Sequence, residues 1–383
     1  MSGGGAADGA PGAELPVAEP VGAALRSAAD EPIRFFLPGP SYVLHRVREA
    51  QLRQPVAHRA AEFLETYAAV AAALPRVFRT ARPVVVATGS GTLMMEAAVA
   101  STVQRRVLCL VHGAFSARFL AIARALGKDA DHLTVPLGRA VEPDLLREAL
   151  RRGRYDAVTL AHCETATGVL APLHELASVA REESDALLLV DAVSSLAGVE
   201  LETDDWGLDV VLTASQKALA LPPGLAFAAI SERAAARMAA VERRGFYTDL
   251  LRYLEKHAEG GTITTPAVTL VRALAVQLPA VLAEGMEARW ARHLALRDRT
   301  LAWAVERGLE APAAAPWRSP TVTTLRAPAV PGGAEVVRAL ATRGFTVGGG
   351  YGEWKPDTFR IGHMGEILPS DLEGLLAALD DIL

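Results

Sequence analysis

From residue 83 onward, short apolar runs alternate with stretches whose apolar positions recur every three to four residues. The runs at 84–88, 107–112, 133–137, 157–162, 186–191, 210–214 and 225–230 predict strands. The periodic stretches at 92–103, 117–126, 142–152 and 173–183 predict helices. Residues 187–190 are apolar on both faces, as a strand inside a parallel sheet must be. Strand–helix alternation at this spacing predicts an α/β fold with a mostly parallel, doubly wound sheet. After residue 266 the pattern changes: helices over 268–308, strands near 321–325, 345–347 and 359–361, a helix near 335–342 and a closing helix over 368–383. This predicts a smaller C-terminal α+β domain. Residues 1–30 are Gly-, Ala-, Glu- and Pro-rich without period and are expected to form a disordered tail. The expected layout is that tail, a large domain over 31–275 that begins with an arm at 31–80, and a small domain over 276–383.

Composition changes this picture little. Hydrophobic residues make up 51% of the 383 and charged residues 22%, as in a folded protein with a large core. The net charge of −5, without a basic run, argues against nucleic acid as a partner. The most apolar long stretch, 267–283, carries Arg272, Gln277 and Pro279 and fails as a membrane span. No basic-then-apolar leader opens the chain, so a cytoplasmic location is the default expectation. Cys109 and Cys163 both lie in apolar runs and are read as buried thiols, and no metal site is expected.

Ligands of open α/β sheets sit beyond the carboxyl ends of the strands. After 84–88 comes Gly89-Ser90-Gly91-Thr92, opening a helix, where backbone N–H groups can meet a phosphate. The plain reading is a Ser/Thr helix cap. After 186–190 comes Asp191, a carboxylate whose burial is costly unless a cation faces it. The plain reading is a turn cap. After 210–214 comes Ser215-Gln216-Lys217, with an amine able to form a Schiff base. A lysine is more often solvated, but the apolar stretch 218–223 that follows does not suit a solvated face. Together the three supply partners for a phosphate, a ring nitrogen and an aldehyde, the groups that pyridoxal phosphate (PLP) carries.

Nine stretches, in order over roughly residues 36–383, carry a resemblance: Pro38-Gly-Pro-Ser41, Thr88-Gly-Ser-Gly-Thr92, Glu164-Thr-Ala-Thr-Gly-Val169, Val190-Asp-Ala-Val-Ser-Ser195, Trp206-Gly-Leu-Asp209, Thr213-Ala-Ser-Gln-Lys-Ala218, Pro222-Pro-Gly-Leu225, Thr265-Pro-Ala267 and Phe359-Arg-Ile-Gly-His-Met-Gly365. The chain resembles the class V aminotransferases of PLP fold type I, near the alanine–glyoxylate and serine–glyoxylate enzymes. The resemblance implies that Lys217 is the Schiff-base lysine and that Asp191 pairs with the pyridinium nitrogen. It implies a phosphate cup of Ser90, Gly91 and Thr92 with Gln216 beside it. Val193 and Phe115 are implied on the two ring faces, and Thr165 near the ring oxygen. Arg360 is implied as the fork for the substrate carboxylate, with Gly39 also at the substrate. Thr264 resembles a residue that reaches the neighbouring subunit's phosphate, which implies a homodimer with shared sites. Phe115 stands where many relatives carry Trp, and Gly261 takes the place of a tyrosine.

The resemblance implies a ping-pong aminotransferase that moves an amino group from alanine or serine to a 2-oxo acid such as glyoxylate or pyruvate. A PLP lyase on the same fold is the alternative. Its desulfurase form is disfavoured because 266–383 contain no cysteine. A nonenzymatic subunit that keeps the fold is the reading from another class. His112 and His162 are read as packed residues, and Gly348-Gly-Gly350 as a hinge or a plain loop.

Overall fold

The computed structural model describes residues 26, 31–328 and 331–383. Apart from Arg26, the expected tail over 1–30 lies outside the described residues. In chain order the strands are β1 (Phe35–Phe36), β2 (Val84–Thr88), β3 (Arg106–Val111), β4 (Asp129–Thr134), β5 (Ala157–Ala161), β6 (Cys163–Glu164), β7 (Val169–Leu170), β8 (Leu187–Asp191), β9 (Val210–Ala214), β10 (Leu225–Ile230), β11 (Val322–Arg326), β12 (Thr346–Gly349) and β13 (Thr358–Gly362). The α-helices are α1 (His45–Glu49), α2 (Ala61–Phe78), α3 (Gly91–Thr102), α4 (Ala114–Ala125), α5 (Pro143–Arg152), α6 (Leu173–Glu183), α7 (Glu232–Ala240), α8 (Leu250–Ala258), α9 (Val268–Glu284), α10 (Met286–Glu306), α11 (Gly333–Thr342) and α12 (Pro369–Asp380).

Seven strands form the main sheet in the order β2-β10-β9-β8-β5-β3-β4. All its pairings are parallel except those of β10, which runs antiparallel to β2 and β9. Successive residues of β8 feed different cores: Leu188 and Val190 meet α2, α6 and α9, while Leu187 and Leu189 meet α3, α4 and α7. That two-faced burial is why the central strands read as unbroken apolar runs. A second sheet, β1-β12-β13-β11, packs under α10, α11 and α12.

Three differences from the sequence expectations have physical causes. The strand expected at 133–137 is β4, four residues earlier, because it is an edge strand with polar, half-exposed residues. The arm supplies β1, which pairs in parallel with β12 and so joins the small sheet. The boundary expected after 275 falls inside α9, whose Val271, Leu274, Leu278 and Val281 are buried in the large core. The helical run breaks instead at Gly285, which has φ +83°. Among the described residues no single helix is long and apolar enough to cross a membrane.

This topology brings the ends of β2, β5, β8 and β9 to one edge of the main sheet. The small sheet's β13 and the loop after β12 reach the same edge, since Arg360 of β13 bonds the Thr165 carbonyl.

Candidate active site

The loop after β9 is braced before it presents a side chain. Ser215 Oγ donates to the Pro222 carbonyl (2.7 Å) and accepts from Leu225 N–H (3.2 Å). Ser41 N–H donates to the Gln216 carbonyl (2.9 Å), and Ser41 Oγ to that of Lys217 (2.6 Å). Lys217 therefore leaves a fixed backbone and runs inward, its Nζ donating to the Pro38 carbonyl. Burial pushes its amine down to about 8 from an ordinary 10.5. Only glycine fits opposite. A Cβ on Gly39 would stand 2.2 Å from Lys217 Nζ, and its φ of +123° also excludes a side chain.

Asp191 closes β8. One carboxylate oxygen accepts from Val193 N–H (2.8 Å), and the other has no partner among the described residues. Burial pushes its carboxyl up to about 6, with the charge of Glu164 acting in the same direction. Val193 follows at the turn and lies against Gly91, where a Cβ would meet Val193 Cγ2 at 2.6 Å. Gly91 opens α3, capped by Ser90, whose Oγ accepts from Leu93 N–H (3.4 Å).

A cavity of about 340 Å³ joins these pieces. Gly39, Ser90, Gly91, Thr92, Phe115, Asp191, Val193, Gln216 and Lys217 all line it. Thr165 does not. It is buried behind the cavity, and its carbonyl accepts from Arg360 Nη1 (2.8 Å). Arg360 stands outside the lining as well, with its Nε bonded to the Gly349 carbonyl (2.8 Å). Thr264 lies in a separate surface concavity with His58, Arg59 and Lys256.

Sequence reasoning gave no role to three further residues here. Arg118 lines the cavity, donates to Thr92 Oγ1 (3.0 Å) and lies 4.9 Å over the Phe115 ring. It sits three residues after Phe115 on α4, and that spacing was the available signal. Glu164, fully buried, accepts from the N–H groups of Phe115 (2.9 Å) and Ser116 (3.0 Å). A carboxylate at the start of α4 thus fixes the helix end that carries Phe115. Cys163 is a buried thiol as expected but also lines the cavity, and burial pushes it up to about 11. His112 and His162 are buried and pushed down to about 4 and about 3, so both are neutral.

The profile of the family "Aminotransferase class-V" matches residues 45–320. The chain belongs to the class V aminotransferases. This aminotransferase is 36% identical over 353 residues to an uncharacterized aminotransferase of Methanocaldococcus jannaschii, covering 90% of this chain and 91% of the relative. It is 34% identical over 355 residues to a soluble hydrogenase small subunit of Synechococcus sp., covering 91% and 92%. The crystal structure of an alanine–glyoxylate aminotransferase from Nostoc sp. superposes with a TM-score of 0.86 at 31% identity, covering 93% of this chain and 97% of that one. The fold is that of the fold type I PLP enzymes, and the cofactor is PLP. The aminotransferase's own residues fit that group. Asp191 holds an unpartnered oxygen toward a cavity whose far wall carries a buried amine, and a helix N-terminus with Ser90, Thr92 and Arg118 offers donors for an anion.

Proposed function

We propose that this aminotransferase moves an amino group from a small amino acid, alanine or serine, to a small 2-oxo acid, glyoxylate or pyruvate, by a ping-pong route. The observation that carries this reading is the pairing of Lys217 and Asp191 across one small cavity, both shifted by burial toward neutrality. PLP, when bound, supplies an aldehyde that exchanges with amines and a ring that accepts the electron pair released at the substrate Cα.

The residues then divide the work. Asp191 would pair with the ring nitrogen and favour its protonated form, and that cation would in turn restore the carboxylate to its charged form. Lys217, with its amine depressed by burial, is unprotonated often enough to take the proton from the substrate Cα and return it on the other side of the exchange. Val193 and Phe115 would hold the ring. Ser90, Gly91, Thr92 and Gln216 would hold the phosphate, and Arg118 would add positive charge there. Glu164 positions Phe115. Arg360 spends two N–H groups on carbonyls and keeps the rest of its five for the substrate carboxylate.

The cavity volume is near the low end for ligand sites, roughly 300–1,000 Å³, and the cofactor alone would fill much of it, which favours small substrates at its edge. The Nostoc relative, named for alanine and glyoxylate, supports the same choice. The subunit works as a homodimer in which Thr264 and its concavity serve the second copy's site. Light scattering of the purified protein tests this, and a monomer with full activity would refute it.

The test of function omits the acceptor. Alanine should then yield one equivalent of pyruvate per site and stop, and later glyoxylate should yield glycine. Continuous pyruvate release from serine without an acceptor would mean β-elimination with loss of water and ammonia, and no oxo-acid release from any amino acid would remove the transaminase reading.

A further inference from the structure

We propose that Tyr351 is a specificity-determining residue that closes the mouth of the site and confines it to small side chains. The inference rests on the function proposed above and names what sets its substrate class.

Four side chains are linked in series by ring contacts. Arg118 lies 4.9 Å over the Phe115 ring. The Phe115 and Tyr351 rings are 5.9 Å apart at 30°. Arg360 lies 5.5 Å over the Tyr351 ring. Charge, ring, ring and charge thus run from the Thr92 hydroxyl in the large domain to the Gly349 and Thr165 carbonyls beside the small sheet. Each cation faces an aromatic ring, an attractive arrangement. Phe115 lines the cavity, whereas Tyr351 and Arg360 do not, so the Tyr351 ring links a cavity wall to the carboxylate fork beside it.

The loop that presents Tyr351 is braced. A Cβ on Gly350 would meet Thr358 Oγ1 at 2.4 Å and the Trp354 carbonyl at 2.5 Å, and Gly352 adopts φ +56°. Thr358 Oγ1 itself donates to the Trp354 carbonyl (2.5 Å). Gly350, at the end of the Gly348-Gly-Gly350 run, is therefore a tight mount for the aromatic ring that follows it. That ring is 39% exposed although large and apolar, and its buried side is spent on Phe115 and Arg360. A substrate gripped by Arg360 must pass it. A bulky side chain would displace the ring and break both contacts, whereas a methyl or hydroxymethyl group would not.

The experiment compares alanine with leucine in the acceptor-free reaction, reading the second-order rate of oxo-acid release. The wild type should favour alanine by at least about 10-fold, and Tyr351→Ala should erase most of that preference while raising the KM for alanine. Tyr351→Phe, which keeps the ring, should keep the preference, and Tyr351→Trp should sharpen it. Tyr351 is partly exposed, so the variants should fold. Melting temperature and bound cofactor are measured on each. An unchanged alanine-to-leucine ratio in Tyr351→Ala, equal losses in Tyr351→Phe, or a wild type indifferent to side-chain size would overturn the inference. Failure of the wild type to release any oxo acid would instead overturn the proposed function.

Discussion

Two groups of buried charges lie within a few residues of one another, and the protein treats them in opposite ways. Arg289 is fully buried with four of its five N–H donors engaged. It donates to Glu284 (2.6 Å), Glu366 (3.0 Å) and the carbonyls of Ala218 (2.6 Å) and Ala197 (3.1 Å). Arg292 adds two bonds to Glu284, and Gln277 one to Glu366 (2.7 Å). The cationic neighbours hold the Glu366 carboxyl down at about 2 despite burial. One residue before Ala218, Lys217 has a single carbonyl partner among the described residues, and Asp191 keeps one oxygen unpartnered among them. There burial wins, and the two groups sit near 8 and 6. Burial thus gives fixed charge where partners are many and movable protons where they are few. The first group is the mount for the second, since Arg289 grips the backbone beside Lys217.

The largest effect expected from breaking this contrast is on turnover. Lys217→Ala should cut it by about 10⁴-fold, because the variant loses both the anchoring amine and the proton carrier. Its melting temperature should stay within a few degrees of the wild type, because the amine it removes is poorly compensated. Borohydride reduction should fix cofactor to residue 217 in the wild type only. Covalent label at another lysine would remove the assignment.

The next effect is on stability against pH, and the two groups should move in opposite directions. The Glu366 folded value of about 2 lies below its ordinary 4.5, so its contribution is full above 4.5 and lost as the pH falls through 2. The Asp191 folded value of about 6 lies above its ordinary 3.8, so the stability of its neutral form is full below 3.8 and lost as the pH rises through 6. In cofactor-free protein at pH 8, Glu366→Gln should therefore destabilise and Asp191→Asn stabilise, each by on the order of 3 kcal/mol. Urea unfolding at pH 4 and 8 measures both. Parallel shifts in the two variants would erase the distinction drawn here.

How far the sequence reveals this contrast depends on what each residue leans on. Lys217, Asp191 and the Ser90–Thr92 turn were legible because each follows a buried strand of the main sheet, so chain position fixes spatial position. The central strands were legible for the same reason, and β4 was misplaced because edge exposure dilutes its apolar signal. Arg118, Glu164 and Tyr351 were not assigned roles, because their meaning comes from contacts between elements far apart in the chain. Glu164 meets the start of α4 across about fifty residues, and Tyr351 meets Phe115 across more than two hundred. The Arg289 cluster was invisible for the same reason, its charges coming from the end of α9, the start of α10 and the segment after β13.

The smallest effect sharpens the comparison at a single residue type. Arg289 and Arg118 are both cations at the site's border, but Arg118 has one protein hydrogen bond, to Thr92, and one ring. If its charge serves the cofactor phosphate, Arg118→Met should weaken cofactor binding by roughly 10- to 100-fold, the worth of one charge-assisted hydrogen bond. It should leave the cofactor-free melting temperature almost unchanged, because no buried carboxylate of the protein loses its partner. Arg118→Lys should recover part of the affinity, since it keeps the charge and loses the fork. Equilibrium dialysis of PLP against each variant reads this directly, and pyridoxal without its phosphate is the control. Equal losses for both ligands would place Arg118 at the ring, through Phe115. A loss confined to the phosphorylated form would place it at the cup, where Thr92 holds it. A fall in melting temperature with unchanged affinity would assign it to the structural group with Arg289.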